Sequence, residues 1–220
     1  LKEIEDGIVI GYGSGTTVTQ LLPELKKLIE RENLRLKFIP SSLQSRELLI
    51  SYNLELVTLD EVPDPDLVID SFDQADYEGN VIKGGGGALL REKILAQAAK
   101  KVVYLGDYLK LREVLNFPIP IEILQYSYSH VRRVLEAWNM RLRPRSCGAK
   151  MGPIISDNGN ILADVEAGEI RDPEGLHEKL RSISGILETG IFIKPADLIV
   201  IGYPDGSIKR IEVARKKLIP

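Results

Sequence analysis

Short apolar runs that alternate with amphipathic helical stretches constrain this chain more than any other feature. Gly7-Ile8-Val9-Ile10-Gly11 reads as a buried strand, and Val18, Leu21, Leu22, Leu25, Leu28 and Ile29 then repeat at helical spacing. Pro23 interrupts that repeat, which predicts a kink, or a restart with the proline near a first turn. Residues 34–39 form a second predicted strand, a helix opens at Ser42 and ends near Asn53, and residues 54–58 form a third strand. Asp66-Leu67-Val68-Ile69-Asp70 is a buried strand that ends in a carboxylate. A helix over residues 88–100 is expected to pack through Leu90, Ile94 and Ala98, and residues 101–105 form the next strand. This order predicts an α/β fold with a doubly wound, mostly parallel, Rossmann-like sheet, in which ligands lie at the carboxyl ends of the strands.

The pattern changes after Pro118 and Pro120. Residues 121–124 look extended, and Val131, Val134, Leu135 and Trp138 share a helical face. Residues 151–165 read as two strands around the turn Asp157-Asn158-Gly159-Asn160, followed by a helix over 173–182 and a strand over 187–193. That β-α-β-β-α-β order predicts a smaller ferredoxin-like α+β domain inserted before the last strands. Leu198-Ile199-Val200-Ile201-Gly202 and a hairpin at Asp205-Gly206 return the chain to the first sheet. The expected domains are therefore 1–119 with 196–220, and 120–195.

Composition narrows the function classes. A formal net charge of -3 over 220 residues leaves no electrostatic footprint for nucleic acid, and no apolar run approaches a membrane span. No signal-peptide pattern opens the sequence, and its single cysteine, Cys147, cannot close an intrachain disulfide. A cytoplasmic setting is expected. His130 and His177 are the only histidines and neither has metal-site spacing. No metal or cofactor is expected, and acid–base chemistry falls to carboxylates and lysines.

Three segments carry polar groups suited to chemistry. Gly11-Tyr12-Gly13-Ser14-Gly15-Thr16-Thr17 lies between a strand and a helix, where backbone N–H groups and hydroxyls can face one anion. It is neither a dinucleotide fingerprint nor a Walker loop, and a plain tight turn remains the alternative. Lys83-Gly84-Gly85-Gly86-Gly87-Ala88-Leu89-Leu90-Arg91-Glu92-Lys93 holds four consecutive glycines, which implies close backbone approach to something. By periodicity Glu92 lies off the predicted packed face, as a solvated residue would. Asp70-Ser71-Phe72-Asp73 places two carboxylates at a strand end, for catalysis or for capping a turn.

Together these segments resemble the A-type ribose-5-phosphate isomerases along essentially the whole chain. Residues 11–17 are similar to that family's Gly-x-Gly-Thr-Gly-Ser-Thr loop, Pro40-Ser41-Ser42 to its second hydroxyl-rich loop, and 70–73 to its Asp-Gly-Ala-Asp. Residues 83–93 reproduce Lys-Gly-Gly-Gly-Gly-Ala-Leu-x-Arg-Glu-Lys nearly intact, and 157–160 match its small-domain turn. The resemblance implies an aldose–ketose isomerase that interconverts D-ribose 5-phosphate and D-ribulose 5-phosphate, in the non-oxidative pentose phosphate pathway, without a cofactor. It further implies Glu92 as general base and Asp70, Asp73 and Lys83 as the other catalytic residues. Gly13, Ser14, Gly15, Thr16, Thr17, Ser41, Ser42, Gly84, Gly85, Gly86 and Lys110 would bind the sugar phosphate. The expected partners are that small molecule and further copies of the chain, as a homodimer or homotetramer, with no nucleic acid and no membrane.

Departures from the family pattern are visible too. Ser14 and Thr16 exchange threonine and serine, Ser71-Phe72 replaces Gly-Ala, and Gln74 replaces glutamate. The sequence starts downstream of the family's first helix, so no phosphate contact from it is expected. Phe72 is expected to point into the core. A sugar-phosphate sensor without catalysis, or an isomerase or deaminase of another sugar phosphate, are the competing readings.

Overall fold

The computed structural model describes residues 2–148 and 151–217. In chain order the elements begin β1 (Val9–Tyr12), α1 (Thr16–Glu32), β2 (Lys37–Pro40), α2 (Leu43–Ser51), β3 (Glu55–Leu56) and β4 (Leu67–Ser71). They continue with β5 (Gln74–Asp76), β6 (Val81–Ile82), α3 (Leu89–Ala98), β7 (Lys101–Asp107), β8 (Leu111–Arg112) and β9 (Ile119–Ile123). Next come α4 (Tyr128–Ala137), β10 (Arg141–Pro144), β11 (Ile161–Glu166) and α5 (Pro173–Arg181). The last are β12 (Ile186–Thr189), β13 (Ile191–Phe192), β14 (Leu198–Gly202) and β15 (Ile208–Glu212). The chain divides into two compact units. The first comprises Leu1–Ser71, Arg91–Tyr108 and Pro195–Pro220, and the second Phe72–Leu90 and Leu109–Lys194.

The first unit is built on a seven-stranded sheet in the order β15-β14-β7-β4-β1-β2-β3. Every neighbouring pair is parallel except β14 with β15. Chain order reverses between β1 and β4, and such a switch point opens a crevice at the strands' carboxyl ends. Side chains alternate across the sheet. Ile10 and Tyr12 pack with Val18, Leu22 and Leu25 of α1, whereas Gly11 faces Val68 and Leu95 of α3. Helices therefore cover both faces, as a doubly wound sheet requires.

Pro23 neither breaks nor restarts α1, which runs unbroken from Thr16 to Glu32. Burial of Val18, Leu22, Leu25 and Leu28 offsets the roughly 3 kcal/mol that an interior proline costs. Ser42 caps α2 in a reciprocal capping box with Ser45. The expected strand over 54–58 shrinks to Glu55–Leu56, because the Glu61 carboxylate accepts both the N–H and the hydroxyl of Thr58 and turns the chain there.

The packed face of α3 differs from the expected Leu90-Ile94-Ala98 stripe. Leu89, Glu92, Lys93, Leu95 and Ala96 are buried, while Ile94 is 41% exposed. Positions 89, 92, 93 and 96 form one i, i+3, i+4, i+7 face. Two charged residues occupy that face, which is why apolar periodicity misplaced it.

In the second unit, β9-α4-β10-β11-α5-β12 supplies an antiparallel sheet in the order β10-β11-β9-β12. This is the ferredoxin-like connectivity, closed over Ile119, Ile121, Ile123, Val131, Leu135 and Leu180. Its second strand is β10, not a strand within 151–165, which contributes β11 and a single bridge between Ile155 and Ile161. Asn139 adopts a left-handed conformation (φ 56°) after α4, turning the chain directly into β10.

The expected strand over 187–193 is split between two sheets. Gly190 donates its N–H to the Pro120 carbonyl (2.6 Å) and accepts from the Lys83 N–H (2.8 Å), so β12 and β13 part there. β13 joins a small sheet in the order β13-β6-β5-β8. That pairing draws 72–90 and 109–119 into the second unit, whereas the sequence grouped all of 1–119 with the first. Among the described residues no helix is long and apolar enough to cross a membrane.

Candidate functional site

The first unit's candidate residues gather at the carboxyl ends of β1, β2 and β4. The Ser14 N–H donates to Asp70 Oδ1 (3.3 Å), and the Ser71 N–H donates to the same oxygen (2.6 Å). A β-carbon at Gly13 would lie 2.0 Å from the Asp70 carboxyl, so only glycine admits this approach. The Ser14 hydroxyl bonds those of Ser41 and Ser42, both at 2.7 Å. Ser14, Ser41 and Ser42 thus form one buried hydroxyl cluster. Gly15 (φ 101°) precedes α1 without a side-chain cap, and α1 carries no acidic residue in its first turn. Thr16 is exposed and Thr17 half-buried at this positive helix end.

Glu92 is only 3% exposed. Tyr104 is in register with Asp70 on the neighbouring strand. Its phenol is held well above the ordinary tyrosine value by burial, and further by the negative charges of Asp70 and Glu92. Asp70, Glu92 and Tyr104 therefore share one electrostatic neighbourhood. Sequence reasoning missed Tyr104, since a strand tyrosine carries no motif. Arg215 escaped notice as well. Its guanidinium binds the Ala96 and Ala99 carbonyls and the Asp197 carboxylate, securing the C-terminal end of the helix that carries Glu92.

The second unit's candidates surround the glycine run. Asp73 Oδ2 accepts from the Gly85 N–H at 2.7 Å. Arg145 donates to the carbonyls of Gly84 (2.8 Å) and Gly85 (3.0 Å), and to both oxygens of Asp164. Lys83 is buried, with its ammonium 6.0 Å from the Phe192 ring centroid. Lys110 donates to the Phe72 carbonyl (2.8 Å) and lies over the Phe72 ring. Phe72 itself is 1% exposed, so the inward orientation holds. Gln74 accepts from the N–H groups of Asn116 (2.6 Å) and Phe117 (3.0 Å) and donates to the Asn116 side chain (2.8 Å). A glutamate would keep the two acceptances and lose the donation, so glutamine here is a local bolt.

Neither histidine joins these groups. His177 bonds Thr189 (2.8 Å), and His130 is exposed. Among the described residues no cluster of three or more His, Cys, Asp or Glu side chains is arranged for a metal ion.

The sequence profile of the family described as ribose 5-phosphate isomerase A (phosphoriboisomerase A) matches residues 37–206. This chain belongs to that family. A ribose-5-phosphate isomerase A from Archaeoglobus fulgidus is 44% identical over 205 residues, covering 92% of this chain and 91% of that protein. The ribose 5-phosphate isomerase A structure from Methanocaldococcus jannaschii superposes with a TM-score of 0.90 at 37% identity, covering 96% of this chain and 93% of that one. A D-ribose-5-phosphate isomerase solved in complex with phospho-erythronic acid gives a TM-score of 0.91 at 34% identity, with the same coverage. The chain is an enzyme of the phosphoriboisomerase A type.

Proposed function

We propose that this chain interconverts D-ribose 5-phosphate and D-ribulose 5-phosphate through a cis-enediolate, with Glu92 as the general base. The observation that carries the assignment is the burial of Glu92, whose charge acts on the Tyr104 phenol together with that of Asp70. Withdrawing a carboxylate from water is costly, which makes a fully buried glutamate in this segment a candidate for chemistry. A buried carboxylate near a second one is what a base tuned for proton abstraction from carbon needs.

Asp70 and Asp73 open the furanose by moving a proton between the anomeric hydroxyl and the ring oxygen. Glu92 then removes the proton from C2, the C–H electron pair forms the C1–C2 double bond, and the carbonyl oxygen at C1 takes up the charge. Returning the proton to C1 while the C2 hydroxyl passes its own proton to the C1 oxygen leaves a ketone at C2 and a hydroxyl at C1. One base serves both carbons because they are adjacent and present one face. Lys83 and the N–H groups of Gly84 and Gly86 stabilise the developing oxyanion, while the Gly85 N–H holds Asp73 in place, and Lys110 contacts the bound sugar.

The uncapped start of α1, with Gly13, Ser14, Gly15, Thr16 and Thr17, takes the phosphate, and Ser41 and Ser42 support it. Phospho-erythronic acid, bound by the solved relative, carries a phosphate and a carboxylate on a short polyol, the two charges an enediolate phosphate also presents. The cytoplasm and a homodimer or homotetramer belong to the same proposal. An exposed free Cys147 suits a reducing compartment.

A coupled assay that follows ribulose 5-phosphate formation tests the function. Conversion of ribose 5-phosphate without added cofactor is expected. A folded protein that bound ribose 5-phosphate without converting it would be a sensor instead.

A further inference from the structure

We propose that Arg145, braced by Asp164, is a positioning residue that sets the direction of the Gly85 and Gly86 N–H groups in the tetraglycine loop. The inference rests on the function proposed above. It adds a residue that no motif marks, 61 positions from Gly84 in sequence.

The geometry starts from the peptide plane. In a trans peptide the C=O and the following N–H point in opposite directions. The Gly84 carbonyl accepts from Arg145 Nη1 at 2.8 Å, which aims the Gly85 N–H the other way, onto Asp73 Oδ2 at 2.7 Å. The Gly85 carbonyl accepts from the same Nη1 at 3.0 Å, and this fixes the next plane and so the direction of the Gly86 N–H. One guanidinium nitrogen therefore orients two consecutive peptides. The Gly87 N–H also bonds the Gly84 carbonyl (2.9 Å), which closes the turn, and Arg145 fixes the two peptide planes within it.

Arg145 is itself held on both sides. Its Nε and Nη2 meet the Asp164 carboxylate side-on, at 2.6 to 3.1 Å. Its backbone N–H donates to the Leu162 carbonyl (2.9 Å), and its carbonyl accepts from the Ile154 N–H (2.8 Å). Asp164 sits inside β11, paired with Arg143 of β10. The side chain of Arg145 is only 14% exposed. The paired strands β10 and β11 thus bring a preoriented fork to four consecutive glycines.

Gly86 shows what this arrangement spares. It is exposed, a β-carbon there would meet nothing within 4 Å, and its φ lies outside the left-handed region. Neither packing nor backbone conformation demands glycine at that position. Close approach of a ligand to the Gly86 backbone would.

The test uses Arg145→Lys, Arg145→Gln and Asp164→Asn in the full chain. Lysine keeps the charge but is a point donor that cannot serve two carbonyls and a side-on carboxylate together. Arg145→Lys is expected to lower kcat about tenfold with KM changed less than about twofold, the pattern of a lost transition-state alignment. Asp164→Asn, which loosens the arginine without removing it, should lower kcat by about threefold.

A second readout needs no activity. In the unaltered protein the Gly85 amide, bonded to Asp73, should exchange slowly with solvent, and in Arg145→Gln that protection should be lost. Unchanged kcat in folded Arg145→Lys and Arg145→Gln would overturn the proposal. So would a Gly85 amide that stays protected from exchange in Arg145→Gln, since any loss of rate would then reflect general destabilisation. Failure of the unaltered protein to isomerise ribose 5-phosphate would overturn the function but leave the amide readout to judge Arg145.

Discussion

Gly13 and Gly85 stand in matching situations, since a β-carbon would come within 2.0 Å of the Asp70 carboxyl at one and 2.7 Å of the Asp73 carboxylate at the other. The means that hold the two loops differ. Around Gly13 the sheet does the work. The Gly13 N–H bonds the Ile69 carbonyl (2.9 Å) and the Ser41 N–H bonds the Tyr12 carbonyl (3.0 Å), so the loop continues the register of β1, β2 and β4. Around Gly85 the preceding strand, β6, is two residues long, and the loop is held by one turn bond, from the Gly87 N–H to the Gly84 carbonyl (2.9 Å), together with Arg145. A loop that leaves a central parallel strand inherits its aim from the ladder. One that leaves a short strand must import it, and damage to it should appear as misalignment rather than unfolding.

Phe72, between the two aspartates, offers the largest test. Truncating this buried ring in Phe72→Ala should cost about 3–5 kcal/mol of stability, measured by denaturant titration, with no gain in the constants for ribose 5-phosphate. A large gain in activity at unchanged stability would show the ring to be an obstacle in the sugar site. Glu92→Gln comes next. It keeps size and most hydrogen bonding, yet turnover should fall at least about a hundredfold while ligand binding persists. Near-normal turnover in the folded variant would remove Glu92 from the base role.

The glycines sharpen the contrast between the loops. Gly13→Ala should destabilise the protein by about 1–3 kcal/mol, because the collision with Asp70 has no slack. Gly86→Ala, with open space around it, should leave the melting temperature unchanged and lower kcat/KM by about tenfold if its N–H faces the ligand. Equal melting temperatures for the two variants would erase the distinction drawn here. The smallest effect is expected at Thr17. Thr17→Ala should weaken phosphorylated sugars by about 1 kcal/mol and leave the poorer binding of free ribose unaltered, as measured by calorimetry. Parallel losses for both ligands would move the phosphate away from the start of α1.

The sequence by itself determined the strand–helix alternation of the doubly wound sheet, the β-α-β-β-α-β connectivity of the ferredoxin-like unit and the positions of the glycine loops. These features are local. A strand's apolar run, a helix's repeat or a glycine at a strand end records an environment that a few neighbouring residues share. Ser42 as the cap of α2 was legible for the same reason.

Tertiary structure alone decided which face of α3 is buried, because Glu92 and Lys93 lie on it and charge reads as solvated until its distant partners are in place. It decided that β6 pairs with β13, which moved residues 72–90 into the second unit. It also joined Arg145 to glycines 60 and 61 positions away and to an aspartate 19 positions away. Hydrogen bonds across such separations are fixed by the packing of whole elements, and no repeat in the intervening sequence carries their trace.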